Sequence, residues 1–249
     1  MLDLFPEGFE ERERSNTLEL AAYTDALGAT RLWRAFGEYV WAEVPEDWQH
    51  RWREFHRPAR VGPLWIGPPW LEPPQGSLPV VIDPGRAFGT GAHPTTRLCL
   101  ELIVDLSRAG GSLLDIGCGS GVLAIAAAKL GFSPAIAVDH DEVTLEAART
   151  NASANGIELE VNLLDVLEDR LPAADIAVAN ISATIVEALA GRVDAPRLVT
   201  GGYLAKETPA VTGFRRVDRR ELDGWAADVW EHRAEHHLAQ QAESGFHPQ

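Results

Sequence analysis

Residues 112–139 read SLLDIGCGSGVLAIAAAKLGFSPAIAVD. An apolar run reaches Asp115, three glycines follow at alternate positions, and helix-forming residues begin directly after them. A second apolar run ends in another acid, Asp139. This order of strand, glycine turn, helix, strand and carboxylate is typical of a βαβ unit that binds a nucleoside. The glycines of the turn are Gly117, Gly119 and Gly121.

The spacing of the glycine turn indicates which nucleoside it binds. Glycines have no Cβ, so the backbone can approach a ligand closely, and Asp139 can accept hydrogen bonds from both hydroxyls of a ribose. A dinucleotide site has the spacing G-x-G-x-x-G, whereas this turn has G-x-G-x-G with Asp115 just before it. A carboxylate there would repel a pyrophosphate and would suit a cationic ligand, which favours S-adenosylmethionine. The alternative is a tight turn without a ligand.

Strands and helices alternate through the rest of this region. The pattern predicts a parallel sheet covered by helices on both faces, with 214–222 and 225–232 as a closing antiparallel pair. Ligands of such sheets bind at the carboxyl ends of the strands. Because Asp115, Asp139 and Asn180 all follow or end apolar runs, we expect one cleft to collect them.

Composition divides the chain into four predicted segments. Six of the eight tryptophans precede residue 75, and the stretch after residue 57 is rich in proline and glycine. Such a stretch predicts a stiff linker, most of which should not be a central strand. The predicted segments are a small α+β domain (1–57), the linker (58–76), a larger α/β domain (77–231) and a polar tail (232–249).

The small domain has its own pattern of elements. Residues 9–15 and 16–24 predict two strands joined by a tight turn, and 25–38 predict a helix. Residues 39–45 predict a third strand, and 46–55 predict an amphipathic helix whose aromatic face packs inside the domain.

Charge and cysteine content limit the function classes. The 249-residue chain has a formal net charge of −15, which argues against direct nucleic-acid binding and allows a basic protein partner. Its two cysteines, Cys99 and Cys118, have no metal-ligand spacing and fit a reducing compartment. No signal peptide or membrane-spanning run is visible, so we expect a cytoplasmic protein without a membrane partner. The oligomeric state is left open.

A second group of candidate residues lies in the stretch 83–96, which reads DPGRAFGTGAHPTT. Its glycines make the loop pliable, and Thr95 and Thr96 can cap the following helix or donate hydroxyls to a ligand. Phe88 offers a ring for apolar packing against the ligand. The alternative is a capped loop with no role in binding.

Four strings occur in order along the chain: DPGRAFGTGAHPTTRLCLELI, LDIGCGSGVLAIAAAKLG, AVDHDEVTLEAARTNASANG and VANISA. Together they closely resemble the PrmA family of bacterial ribosomal protein lysine methyltransferases. The likeness covers residues 48 to about 204 and implies a class I methyltransferase fold. That fold has a mostly parallel, seven-stranded, Rossmann-like sheet and a small N-terminal recognition domain. The implied substrate is the large-subunit stalk-base protein, methylated on lysine ε-amines and on its N-terminal amine.

The resemblance assigns roles to individual residues. Carried over position by position, the family's cofactor contacts fall on Thr96, Gly117, Asp139 and Asn180. The string NISA at Asn180 differs from the N-P-P-Y string of methyltransferases that act on bases and glutamines. The chain also departs from the family pattern, because the stretch 206–213 is too short for the helix that usually precedes the closing strands.

The complete predicted site therefore combines the two lines of argument. Asn180, with nearby backbone carbonyls, is expected to orient the acceptor amine, and Phe88 is expected to cover the cofactor. His93 is either a general base or a structural residue. No metal is implied, since His232, His236 and His237 have helical spacing but belong to a polar tail expected to be solvated. The full cofactor-binding set is Thr96, Asp115, Gly117, Gly119, Gly121, Asp139, Asn180 and Phe88.

The expected function is S-adenosylmethionine-dependent lysine methylation of a ribosomal protein. Alternatives are another protein substrate, such as the electron-transfer flavoprotein beta subunit, a small-molecule substrate, or a cofactor-binding module without catalysis. Aligned with the family's βαββαβ recognition domain, the small domain lacks the first strand and most of the first helix. We therefore expect either a longer natural chain or a small domain that rearranges or borrows a strand in a dimer.

Overall fold

The computed structural model describes residues 10–14, 17–21, 26–37, 40, 57–84, 89 and 91–233. Contacts divide the chain into two units, Met1–Arg51 and Trp52–Gln249. Each is considered separately below.

The described part of the first unit is a hairpin and a helix. Strand β1 (Glu10–Arg14) pairs antiparallel with β2 (Thr17–Ala21), and helix α1 (Ala26–Phe36) follows. These elements confirm the first two strands and the helix predicted for the small domain. Apart from Val40, the predicted third strand and second helix lie outside the described residues.

The second unit begins with a three-stranded sheet where the sequence predicts a linker. The sheet contains β3 (Ala59–Val61), β4 (Leu64–Gly67) and β5 (Leu78–Val81), with β4 in the centre. Most of the stretch 58–76 is not a central strand, as predicted, but Leu64–Gly67 form the central strand β4 of this small sheet. Prolines stand immediately outside β3 and β4, at positions 58, 63 and 68, so none removes a ladder hydrogen bond from either strand.

Strand β4 is also part of the core of this unit. Leu64 and Ile66 are at most 1% exposed and belong to the same apolar cluster as Leu98 and Leu113, far along the chain. The segment therefore packs against the α/β core.

The main sheet has seven strands in the order β11-β12-β10-β9-β6-β7-β8. All pairings are parallel except those of β12, which is antiparallel to β10 and β11, as the sequence predicts. The strands are β6 (Leu113–Ile116), β7 (Ala135–Asp139), β8 (Glu160–Leu163), β9 (Ile176–Asn180), β10 (Arg197–Leu204), β11 (Phe214–Leu222) and β12 (Trp225–His232).

Helices cover both faces of this sheet. Successive residues of β6 point to opposite sides, so Leu113 belongs to one apolar cluster and Leu114 to another. In the described ranges no helix is long and apolar enough to cross a membrane. The helices of the second unit are α2 (Pro94–Leu106), α3 (Val122–Lys129), α4 (Glu142–Ala154) and α5 (Ala183–Leu189), with 3₁₀ turns at Ser107–Ala109 and Ala190–Arg192.

The far edge of the sheet is open. The segment between β10 and β11 contains no helix, which confirms the predicted departure from the family pattern. Val217, near the middle of edge strand β11, is 41% exposed. A β-bulge lies between Arg216 and Asp218, and charged side chains line the strand, both of which disfavour pairing with another edge.

Candidate functional site

The candidate site lies where three neighbouring strands end. Strands β6, β7 and β9 are adjacent and parallel, so their carboxyl ends lie at one edge of the sheet. Asp115 is the penultimate residue of β6, and Asp139 and Asn180 are the last residues of β7 and β9. The topology thus gathers the three polar residues as predicted.

The glycine turn connects β6 to α3 and is attached to the end of β7. The φ angles of Gly117, Gly119 and Gly121 are +70°, +54° and +79°, a region that only glycine adopts readily. The amides of Gly117 and Cys118 donate to the Val138 carbonyl oxygen at 2.9 and 3.1 Å. The turn is therefore held against the strand that carries Asp139.

Asp139 is almost buried, with 7% of its surface exposed. Its Oδ2 accepts the Gly119 amide at 3.2 Å, and its Oδ1 accepts the Asp141 amide at 3.2 Å. Each carboxylate oxygen can accept a second hydrogen bond. Asp139 is thus oriented by the backbone and retains capacity for hydroxyl donors such as those of a ribose.

Asp115 is buried more completely, at 1% exposed. Its Oδ2 accepts the Ala124 amide from α3 at 3.1 Å, whereas its Oδ1 is buried with no hydrogen-bond partner among the described residues. Burial raises the pKa of Asp115 to about 7; the Ala124 amide opposes that rise, and the nearby Asp139 carboxylate adds to it. A cationic donor would satisfy Oδ1 and stabilise the ionised form.

Asn180 has a fixed amide with one unused acceptor. Its Nδ2 donates at 3.3 Å to the hydroxyl of Thr96, a fully buried residue in the first turn of α2. Its Oδ1 is buried and, within the described part of the chain, accepts no hydrogen bond. Asp115 and Asn180, on adjacent strands, thus each present an acceptor oxygen that a ligand N–H could satisfy.

Two glycines of β10 allow the approach to Asn180. A Cβ on Gly201 would lie 3.3 Å from Asn180 Oδ1, and one on Gly202 would lie 2.4 Å from the Ile181 carbonyl oxygen. Gly202 has a φ of +94°, and the Gly201 carbonyl accepts the Ile181 amide at 3.1 Å. The bulge at these glycines therefore fixes the turn that follows Asn180.

His93 has a structural role in this arrangement. It is the N-cap of α2, and its Nδ1 accepts the Thr95 amide at 3.3 Å and lies 2.8 Å from the Thr95 hydroxyl. Its ring meets Trp225 edge-on at 4.8 Å, and burial lowers its pKa. Of the two roles considered for His93, the structure supports the structural one.

Some predicted site residues lie outside the part of the chain that the structure describes. Phe88 falls in the stretch 85–88, and the tail with His236 and His237 follows residue 233, the last one described. His232 is described, and its ring packs edge-on against Phe214 at 5.0 Å.

Comparison with known proteins agrees with this geometry. Residues 10–235 match the family model described as Ribosomal protein L11 methyltransferase (PrmA). The chain belongs to the PrmA family. A PrmA relative from Symbiobacterium thermophilum is 41% identical over 206 residues, which cover 76% of this chain and 66% of the relative. One from Exiguobacterium sp. is 37% identical over 213 residues, covering 78% and 67%.

The chain therefore spans about two thirds of the length of these PrmA relatives. Among solved structures, a ribosomal protein L11 methylase from Lactobacillus delbrueckii subsp. bulgaricus superposes with a TM-score of 0.62 at 28% identity. That match covers 69% of this chain and 96% of the other. The superposition identifies the sheet as that of a class I methyltransferase. Membership of this methyltransferase family indicates S-adenosylmethionine as the cofactor.

Two residues near the site were missed from the sequence. Asn151 of α4 is 3% exposed and donates to the Ser120 carbonyl inside the glycine turn. Ser120, at 1% exposed, donates to the Gly89 carbonyl at 2.5 Å. The available signal is the pair Asn151 and Asn155, two amides four residues apart at the C-terminal end of a helix that packs on the sheet.

Proposed function

We propose that the chain is an S-adenosylmethionine-dependent protein-lysine N-methyltransferase whose substrate is a large-subunit ribosomal protein. The observation that carries this proposal is the pair of buried acceptor oxygens, Asp115 Oδ1 and Asn180 Oδ1, at adjacent strand ends beside Asp139. Most buried polar atoms in proteins have a hydrogen-bond partner. These two unpaired oxygens therefore favour a ligand with N–H donors. The names of the PrmA relatives supply the substrate class.

The residues present fit S-adenosylmethionine. Asp139 would accept the ribose hydroxyls, and Asp115 would pair with a cationic group of the ligand. Gly117, Gly119 and Gly121 leave room for close approach to the backbone. When bound, the cofactor supplies a methyl group already activated by a sulfonium.

Asn180 is the residue proposed to orient the acceptor amine. Its Nδ2 is held by Thr96, so its Oδ1 has a fixed direction and can accept an N–H of the incoming lysine. The acceptor amine has to lie in line with the methyl group of the cofactor. The reaction therefore requires positioning more than acid–base catalysis. The cofactor would supply the methyl group, and Asn180 Oδ1 would hold the neutral lysine amine toward it.

The acceptor lysine has to be neutral before it reacts. With a pKa near 10.4, its deprotonation at pH 7 costs about 4.6 kcal/mol. His93 is poorly suited as the base, because its Nδ1 is engaged in capping α2. Desolvation at the strand ends, beside a cationic cofactor, would instead lower the pKa of the lysine.

The proposed partner and compartment follow from charge and thiol chemistry. A net charge of −15 suits a basic ribosomal protein as partner. Cys99 and Cys118 are buried free thiols, in keeping with the reducing cytoplasm where ribosomal proteins are made. We assign recognition of the substrate to the small N-terminal unit and catalysis to the large one.

The test is a methylation assay with radiolabelled cofactor. The protein is incubated with unmethylated large-subunit ribosomal proteins, and the labelled species is identified by mass spectrometry. Label on lysine or N-terminal amines of the L11-type protein supports the proposal. Label only in RNA, in metabolites or in another protein such as the electron-transfer flavoprotein beta subunit contradicts it. Cofactor binding without any transfer indicates a non-catalytic module.

A further inference from the structure

A chain of side-chain hydrogen bonds links helix α4 to two segments of the candidate site. Asn151 Oδ1 accepts the Asp83 amide at 3.0 Å, and its Nδ2 donates to the Ser120 carbonyl at 2.9 Å. These contacts bridge 68 and 31 residues of sequence. One buried amide therefore connects the end of the three-stranded sheet to the glycine turn.

The connection continues from the glycine turn to the segment before α2. The Ser120 hydroxyl donates to the Gly89 carbonyl at 2.5 Å. Gly89 has a φ of +102°, and a Cβ there would lie 3.2 Å from Ser120 Oγ. Asn151 and Ser120 together thus hold Asp83 and Gly89 against the same turn.

Asn155, the C-cap residue of α4 and four positions after Asn151, provides an internal comparison. Its Oδ1 accepts the Val81 amide at 2.8 Å, and its Nδ2 donates to the Val81 carbonyl at 2.6 Å. It binds the outer edge of β5 much as another strand would, and its side-chain amide bonds to Val81 and to the Asn151 carbonyl rather than to the glycine turn. Asn151 and Asn155 both bind the end of the three-stranded sheet, and Asn151 also binds the turn.

We propose that Asn151 is a positioning residue of the cofactor site, acting through Ser120. Three glycines with positive φ give the backbone of the turn wide conformational freedom. Contacts with other segments are therefore needed to hold it in the conformation that binds the ligand. Val138 and Asp139 hold its first half, and Asn151 holds its second half at the Ser120 carbonyl. Asn151 thereby orders the turn before the ligand binds, which lowers the entropic cost of binding. The inference rests on the proposed function only for the identity of the ligand.

The test compares Asn151→Ala with the matched control Asn155→Ala. Both variants lose hydrogen bonds to the 78–83 stretch, and urea unfolding defines conditions in which both are folded. The affinity for S-adenosylhomocysteine is then measured by calorimetry. We expect Asn151→Ala to bind about tenfold more weakly and Asn155→Ala to stay within about twofold of the wild type. Equal losses in the two variants, or no loss in Asn151→Ala, overturn the inference.

Two further variants test the route through Ser120. Asn151→Asp keeps an oxygen for the Asp83 amide and removes the donor to the Ser120 carbonyl, so we expect it to bind as weakly as Asn151→Ala. Combining Asn151→Ala with Ser120→Ala should cost less affinity than the sum of the single changes, because both act on one connection. Normal binding by Asn151→Asp, or strict additivity, contradicts this route.

Hydrogen exchange in the unliganded protein separates this inference from the proposed function. The amides of Cys118 and Gly121 are hydrogen-bonded within the strand end and turn. They should exchange faster in Asn151→Ala and at the wild-type rate in Asn155→Ala. Unchanged exchange in Asn151→Ala overturns the inference whatever the ligand proves to be. A wild-type protein that binds no S-adenosylhomocysteine overturns the proposed function alone.

Discussion

Asp115 and Asp228 are two buried carboxylates of one sheet, and they differ in how their oxygens are used. Asp228, on β12, is 0% exposed, and Asp115, on β6, is 1% exposed. Burial raises the pKa of both. The Asp228 carboxylate accepts the Tyr203 hydroxyl at 2.7 Å and an Arg219 nitrogen at 3.2 Å, with Arg216 nearby at 3.7 Å.

Asp115 has a much poorer set of partners. Its Oδ2 accepts the Ala124 amide, and its Oδ1 has no hydrogen-bond partner among the described residues. A buried carboxylate with complete partners contributes to the fold, whereas one with an unused oxygen is maintained at a cost to stability. The difference supports a structural role for Asp228 and favours the proposed role of Asp115 in ligand binding.

The largest effect that this comparison predicts is on stability at Asp228. Asp228→Ala leaves Arg219 and Tyr203 without their buried acceptor and should lower the free energy of unfolding by about 3–5 kcal/mol. Urea denaturation measures this loss, and Asp218→Ala, which removes a half-exposed carboxylate of β11, should cost at most about 1 kcal/mol. Similar losses in the two variants would show that the Asp228 cluster is not a structural unit.

At Asp115, in contrast, removal of the ionisable carboxylate is expected to raise the free energy of unfolding at high pH. Its pKa is about 7 in the folded protein and near 3.8 when unfolded, so the folded state holds the extra proton between these values. The stability of the wild type should fall as pH rises from about 4 to about 7. Asp115→Asn removes this ionisation and should be more stable at pH 8 by about 2–4 kcal/mol. Thermal unfolding at pH 5 and pH 8 measures the difference, and a destabilised Asp115→Asn at pH 8 would contradict it.

A smaller loss is expected at Gly202, which supports Asn180 from β10. Gly202→Ala places a Cβ 2.4 Å from the Ile181 carbonyl oxygen and requires a φ of +94°. It should cost about 1–3 kcal/mol of stability and displace the turn after Asn180. Turnover should fall more than cofactor affinity does. A matched Gly224→Ala, with a φ of +79° and open space around its Cβ position, separates backbone strain from displacement of Asn180. Equal turnover in the two variants would contradict the displacement.

The smallest predicted effect is the pH dependence of cofactor binding. A cationic ligand pairs with ionised Asp115, and this residue is increasingly protonated below pH 7 in the free protein. Affinity should therefore rise between pH 6 and pH 7, by at most about tenfold, or about 1.4 kcal/mol. Calorimetry of S-adenosylhomocysteine across this range measures the slope, with His140→Gln as a control for the imidazole 3.4 Å from Asp139. The same slope in Asp115→Asn would contradict the assignment.

The sequence was sufficient to predict the strand ends that form the site. Alternating strands and helices specify a parallel sheet, and a parallel sheet gathers Asp115, Asp139 and Asn180 at one edge. These residues are recognisable because each lies at the end of an apolar run. The conformation of the glycine turn could also be predicted from local sequence, because the glycines that define the spacing within these five residues are also the residues with positive φ.

Features that depend on tertiary contacts were not predictable in this way. The proline and glycine content of 58–76 predicts a linker, whereas the positions of the prolines leave β3 and β4 intact. Asn151 and Ser120 bind backbone groups 31 to 68 residues away, and no local pattern encodes such pairs. The unused oxygen of Asp115 is visible only once its surroundings are known.

The most direct test of the central claim is calorimetric titration of S-adenosylhomocysteine into the wild type and Asp139→Ala. The claim is that the strand-end cleft binds this nucleoside through a carboxylate that the backbone holds in place. Removal of a charged acceptor should cost about 1.5–3 kcal/mol of binding free energy, with NADH giving no tight binding to the wild type. Unchanged affinity in Asp139→Ala, or tight binding of NADH, would contradict the account.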